Sequence, residues 1–478
     1  MSRHEVVSSD GGAADGSRSS ARLRAVLLVA NPAAPYSRAL RVGRSLAKAG
    51  FEVEVSATTG RGEAATERDG ALEIVRYEPT GPWARFDHER RRSHSTGAIG
   101  RIRRLLDGAL KLVAWPVHVR GWWRTLERDL PPADLYHAFG ILTIPVAIGL
   151  ARAARRRGRQ ARVVYDVIDV ILESNNVDRI PRPFLAFYRW RERRWIRTVD
   201  AVVTVNDAIA DHLGRTWPIA ERPTVLLNCQ PRWSVPVPRP DLIRATTGIP
   251  AERRIVLFLG RLGRERGLDE AAEAVIDLDD AALVLLGFGP WADRLGERDR
   301  EPRFAGRHVT LPAVHPDDVP AWTASADVSI IAVPANSLNQ RLSTPNKFWE
   351  SLTAGTPMLV GRDLEVMRSI VEEHRIGVVA DPLDRTEIVR ALRVILDASP
   401  DDRAAMRERC LQVAAGTYNW ETSVRPYLAL VQRLTGEKSR SMRTRRARPM
   451  SRLWGRIAPD RSDRNLSDRR EGSQRGGA

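Results

Sequence analysis

Residues Ser343–Pro357 read STPNKFWESLTAGTP, and the chain around them is best read outward from this stretch. Thr344 is a good N-cap residue, and Pro345 fits the first helical position, where a missing N–H costs nothing. Phe348, Trp349 and Leu352 supply an apolar face, and Gly355 with Pro357 stops the helix. A valine-rich strand over Asp327–Val333 precedes it. The helix N-terminus, with free N–H groups and the positive end of the dipole, therefore faces a strand's carboxyl end, a natural place for phosphate. Lys347 in the first turn opposes that dipole and is odd there without an anion. Glu350 lies four residues after Asn346, on the same helix face.

Upstream, Ile255–Leu259 is an aliphatic strand of the buried parallel kind and runs into GRLGRERGLDE, residues 260–270. A strand, a loop bearing Arg261 and Arg266, and a helix start together form an anion site far more specific than any one basic residue. Leu283–Leu286 leads into the turn Gly287-Phe288-Gly289-Pro290, and Val309–Val314 into His315. Downstream come a strand at Met358–Val360, a helix over Leu364–Glu373, and a last helix from Asn419-Trp420 to Leu434.

The N-terminal half repeats the alternation. Strand Leu23–Ala30, loop Asn31–Ser37, helix Arg38–Ala49 closed by Gly50, and strand Phe51–Ser56 open a doubly wound sheet. The loop has two prolines and no glycine, which argues against a dinucleotide fingerprint. Further strands are predicted at Asp134–Phe139, Arg162–Val167, Asp200–Val205 and Val225–Asn228, with Asn206 or Asp207 capping a helix from Ala208. Four prolines in Pro231–Pro240 mark a hinge between two α/β domains.

Composition narrows the partners. The net charge is +17, and residues 437–478 hold 13 Lys and Arg against 5 Asp and Glu. Residues 83–128 hold 11 against 4, and there Ile99, Ile102, Leu106, Leu110 and Val113 repeat at helical spacing, with Trp115, Trp122 and Trp123 following. A basic amphipathic helix with nearby tryptophans fits a membrane surface; a helix packed on the core with a basic outer face fits equally. Cys229 and Cys410 make no metal spacing and read as buried small hydrophobes in a reducing compartment. No apolar signal-peptide core or convincing span is seen, so a cytoplasmic chain is expected, with peripheral association at the inner membrane face left open. No zinc spacing, recognition helix or RNA-type aromatic motif points to nucleic acid.

The stretch 343–357 resembles the donor-binding segment of glycosyltransferase family 4, the retaining, metal-independent GT-B enzymes. Many members carry Glu-x7-Glu here; Glu350 matches the second Glu, while Leu342 stands at the first. One branch has Pro-Asn-Lys-x-x-Glu instead, matched by Pro345, Asn346, Lys347 and Glu350. Arg261 and Arg266 match the family's Gly-Arg-x4-Lys-Gly, with Arg for Lys, a planar fork in place of a point charge. Asp134 and His137 resemble its Asp-x-x-His, and Asp169 and Glu173 its acidic loop; Asp166 occupies a region where other members place a sugar-contacting His.

The resemblance implies two Rossmann-like domains facing across a cleft, over 21–235 and 236–418, a crossover helix at 419–436, and tails at 1–20 and 437–478 expected to be disordered. It implies a sugar moved from a UDP- or GDP-linked donor, a substrate rather than a cofactor, to a glycan or lipid-linked acceptor, without metal. Gly260, Arg261, Arg266, Gly287, Gly289, His315, Thr344, Pro345, Asn346, Lys347 and Glu350 would bind the donor. Tyr36, Ser37, Arg38, His137, Asp169 and Glu173 would face the acceptor, and Arg261, Arg266, Lys347 and Asp169 would serve the chemistry. An epimerase or phosphorylase of the same architecture, or a non-catalytic basic binding protein, stays open.

Overall fold

Aliphatic runs that can be buried on both faces set the architecture. A computed structural model of the chain describes residues 22–33, 37–59, 63–78, 116–177, 180–264 and 266–436. The first sheet contains β1 (Arg24–Val29), β2 (Glu52–Thr58), β3 (Thr66–Asp69), β4 (Leu72–Tyr77), β5 (Leu135–Phe139), β6 (Arg162–Val167), β7 (Ala201–Thr204) and β8 (Thr224–Val225). Its order is β3-β4-β2-β1-β5-β6-β7-β8, parallel except for the β3–β4 hairpin, which the sequence reading had not foreseen. The second sheet contains β9 (Arg254–Arg261), β10 (Ala281–Phe288), β11 (His308–Pro312), β12 (Val328–Ile331), β13 (Met358–Gly361) and β14 (Gly377–Ala380). It is parallel throughout, in the order β11-β10-β9-β12-β13-β14.

In each sheet the chain leaves a central strand in one direction and returns on its other side. The switch lies between β1 and β5 in the first sheet and between β9 and β12 in the second. Crevices at the carboxyl ends of such strands are where open α/β sheets bind ligands, because the helices that follow diverge there.

The last helix, Trp420–Gly436, belongs by sequence to the second half but packs Trp420, Val424, Tyr427, Leu430 and Val431 into the core of the first sheet. Leu342 does likewise, joining the apolar cluster that contains Val170 and Ile141. Cys229 and Cys410 are free and buried among hydrophobic side chains.

Three local expectations change. The strand expected over Val225–Asn228 pairs only at Thr224–Val225; beyond it the backbone leaves the sheet for the linker. The helix of the opening stretch starts at Asn346, since Pro345 is still extended (ψ 161), so Thr344 does not cap it. Trp122 is buried in the core, and Trp123 packs against the helix Ile144–Arg156, where a Cβ on Gly149 would come within 2.6 Å of its Nε1. Trp122 is therefore unavailable to a membrane, and Trp123 is half-buried. The stripe Ile99–Val113, Trp115, Tyr36 and the two tails lie outside the described residues.

Candidate functional site

The carboxyl ends of β9 and β10 are held together by glycines. A Cβ on Gly287 would stand 1.8 Å from the Gly260 carbonyl oxygen, and one on Gly289 (φ 148) would stand 2.1 Å from that of Leu262. A Cβ on Gly267 (φ 66) would meet the Ala332 carbonyl at 2.1 Å, so the loop after β9 is drawn against the end of β12. The predicted Gly-x-Gly-Pro turn and the Arg261–Arg266 loop thus form one floor, and no side chain fits between their backbones.

Lys347 lies across this floor. Its Nζ is 3.7 Å from the centroid of the Phe258 ring, and its Cε is 3.7 Å from the position a Gly260 Cβ would take. The residue is half-buried in the first turn of the helix Asn346–Thr353, whose N-terminus points at the crevice between β9 and β12. Burial pushes the ammonium down to about 7, with Arg266 acting in the same direction and Glu350 opposing. Two cations and the first turn of a helix come together here, the electrostatics of a site for a multiply charged anion. Arg261, at the tip of β9, is exposed beside them. His315 follows β11 with its ring exposed near Asp317.

Glu350 is one turn further on. Burial pushes its carboxyl up to about 7, while Arg41 and Lys347 pull it the other way. Gln230 Nε2 donates to Glu350 Oε1 at 3.4 Å, and Arg41 Nη1 donates to the Gln230 oxygen at 2.9 Å. Arg41 Nη2 also donates to Asn228 Oδ1 at 2.6 Å, and Asn228 Nδ2 to Asn346 Oδ1 at 2.6 Å. An arginine of the first sheet's helix Ser37–Lys48 therefore holds Asn346 and Glu350 through two linker amides. Burial and the neighbouring Arg38 lower Arg41 to about 10. Sequence reasoning missed Arg41, Asn228 and Gln230: two ordinary linker amides, and an arginine one turn after Arg38, carry no local signal.

Arg38 and His137, expected on the acceptor side, are buried. Arg38 Nε and Nη2 make a bidentate pair with Asp166, both bonds at 2.9 Å, and Nη1 donates to the Leu226 carbonyl at 2.9 Å. His137 Nε2 lies 3.3 Å from Asp166 Oδ2, and its Nδ1 is 2.8 Å from the Tyr427 hydroxyl. All four side chains are at most 1% exposed, so none can reach an acceptor. Burial lowers His137, leaving it neutral; its Nε2–H donates to the carboxylate and Nδ1 accepts from Tyr427. Burial alone would raise Asp166, but Arg38 and His137 outweigh it and hold the carboxyl below its ordinary range. Asp166 thus anchors the crossover helix to the first sheet.

Asp169 is exposed where the two halves meet: Asn339 Nδ2 donates to it at 3.1 Å, and the Asn339 oxygen accepts from Val170 N at 2.7 Å. Glu173 pairs with His212 at 3.2 Å on a cavity of about 330 Å³ that Arg189, Glu192 and Trp217 also line. Thr344 is buried, its hydroxyl 3.5 Å from Asn206 Nδ2. Ser37 begins its helix. The structure therefore brings Gly260, Arg266, Gly287, Gly289, Asn346, Lys347 and Glu350 to one crevice and leaves Arg38 and His137 outside it.

Residues 241–412 match the family model described as glycosyl transferases group 1, and residues 35–229 match a glycosyl transferase 4-like domain. A 2-deoxystreptamine glucosyltransferase of Streptomyces kanamyceticus is 24% identical over 379 residues, 75% of this chain and 88% of that protein. A D-inositol 3-phosphate glycosyltransferase of Mycobacterium bovis is 26% identical over 209 residues, 41% of this chain and 40% of its own length. In fold, the sucrose-phosphate synthase of Thermosynechococcus elongatus superposes with a TM-score of 0.65 at 16% identity, covering 87% of this chain and all of that one.

Proposed function

The chain belongs to the GT-B glycosyltransferases of the family 4 kind, and from that premise we propose that it transfers a hexose, with retention and without a metal, from a UDP- or GDP-linked donor to a glycan or lipid-linked acceptor. The observation that carries this reading is Lys347, held over Phe258 and Gly260 with Arg266 beside it and Glu350 one turn on.

In this reading the donor diphosphate lies on the floor between β9 and β12. Lys347, Arg266 and the N–H groups of the helix Asn346–Thr353 face the oxygens on which negative charge grows as the sugar–phosphate bond breaks, commonly the largest catalytic contribution. The cations do not move to meet that charge; backbone glycines and an aromatic ring fix them beforehand. Glu350, ionised, accepts hydrogen bonds from the ribose hydroxyls. The acceptor hydroxyl attacks the anomeric carbon on the face the diphosphate leaves, and its proton passes to the departing phosphate oxygen. That sequence needs no enzyme nucleophile. In this reading charge on the diphosphate is met by these protein cations rather than by a divalent ion.

The test is calorimetric titration with UDP, GDP and their sugar conjugates, in EDTA and in magnesium. One nucleotide should bind saturably in EDTA, and Arg266→Ala should lose both binding and transfer while keeping the thermal unfolding profile. A fully active Arg266→Ala, or binding that requires magnesium, refutes the assignment. Conversion of the sugar nucleotide with no acceptor present would identify an epimerase instead, and a requirement for free phosphate a phosphorylase.

A further inference from the structure

The helix Arg182–Ile196, RPFLAFYRWRERRWI, follows the short turns that leave the carboxyl end of β6. Its inner face is fixed: Tyr188, Glu192 and Ile196 are buried, and Glu192, its sole acid, accepts from the Tyr165 hydroxyl at 3.0 Å. Its outer face is not what a solvated helix presents. Phe187 and Trp190 are about half exposed, with ring centroids 5.9 Å apart, and Phe184 is 40% exposed at the edge. Arg182, Arg189, Arg193 and Arg194 surround them in solvent, and the Arg194 guanidinium stands 5.2 Å over the Trp190 ring.

Solvent-facing aromatic rings on a folded helix cost hydration free energy unless something covers them. The cover is specified by the charges this helix itself exposes beside the rings, which are arginines, with its single carboxylate turned inward. From this charge pattern we infer that the helix Arg182–Ile196 is the face by which the chain docks on an anionic phospholipid surface, the rings entering the headgroup layer and the arginines pairing with lipid phosphates. A nucleic-acid duplex would meet the arginines but offer the ring pair no apolar layer to enter; a single strand, which stacks bases on such rings, is separated from lipid by the nucleic-acid arm of the test below. The docked helix is also tied to the cleft, since Arg189 Nη2 donates to the Leu172 carbonyl at 3.1 Å in the turn that carries Glu173. A lipid-linked acceptor held at that surface would meet the protein beside Asp169 and Glu173. This last point rests on the glycosyl-transfer reading; the docking itself does not.

The experiment is co-sedimentation of the full chain, with no donor present, with vesicles of phosphatidylcholine alone and with phosphatidylglycerol added. Binding is expected to the anionic vesicles only. Phe187→Ser/Trp190→Ser and Arg193→Glu/Arg194→Glu should each weaken partition by about tenfold or more, the scale set by basic residues at a charged surface. Trp190→Phe should keep partition but lose the part of the fluorescence that brominated lipid quenches. Unchanged partition in both double variants overturns the inference and assigns binding to residues 437–478 or 99–113. Binding to DNA but not to vesicles, equal binding to neutral vesicles, or no vesicle binding by the wild type also overturns it. Unchanged UDP affinity in the variants verifies their fold. Vesicle docking with no sugar transfer would sink the proposed function and leave this inference standing.

Discussion

Lys347 holds its Nζ 3.7 Å from the centre of the Phe258 ring, an ammonium partly stripped of water and braced by a π face and a glycine floor. Lys347→Met keeps the stem and removes the charge. Sugar transfer should fall by about 10²–10³, the usual loss when one fixed electrostatic stabiliser is removed.

The same substitution should stabilise the unliganded protein, with a pH dependence that identifies the cause. Burial depresses Lys347 from the ordinary lysine value of 10.5 to about 7, so between those values the unfolded chain binds more protons. Stability in the wild type therefore rises with pH across that window. The thermal midpoint of Lys347→Met should exceed the wild type's at pH 6, and the gap should close by about pH 10.5. A constant gap at all pH values would contradict the assignment.

Glu350 titrates in the opposite sense. Burial raises its carboxyl to about 7, so below that value the proposed ribose partner is protonated and donor binding should release a proton. Affinity for UDP should climb toward pH 7 and fall above it as Lys347 loses its proton, with both limbs belonging to the pair. Glu350→Gln should abolish the acidic limb and keep the alkaline one. Calorimetry in two buffers of different ionisation heat measures both; an acidic limb that survives Glu350→Gln refutes the role.

Arg38 and Asp166 form a pair at most 1% exposed. Removing one partner strands a charge, so Arg38→Ala or Asp166→Ala should each cost roughly 3–5 kcal/mol of stability. Arg38→Met/Asp166→Leu should cost clearly less than the sum. Urea unfolding followed by circular dichroism decides, and additive losses would show that the pair does not act as a unit.

Leu342 stands where relatives of the Glu-x7-Glu kind carry a carboxylate, and here it is 7% exposed in the apolar cluster of the first sheet. Restoring the acid should therefore harm. Leu342→Glu is expected to cost roughly 2–4 kcal/mol, the scale for burying an unpaired polar or charged group, and to lower transfer. A variant with raised activity and unchanged stability would mean that position 342 faces the sugar after all.

The central parallel strands of both sheets were legible in the sequence, because aliphatic runs buried on both faces can be read without knowing their neighbours; β3, β4 and β14 at the sheet margins were not. The grouping of Gly260, Gly287, Gly289, Arg266, Lys347 and Glu350, proposed above as the donor crevice, was also legible, because each lies within a few residues of a strand end or helix start. Other placements depend on contacts across the fold. Arg38 starts a helix and His137 lies near the end of β5, yet Asp166 and the crossover helix's Tyr427, remote along the chain, bury them. Arg41 reaches Glu350 through Gln230, and Leu342 fills a core to which it contributes no strand. Local periodicity reports which face of an element is apolar; it does not report which distant charge or cavity that face will meet, because folding fixes that choice across hundreds of residues.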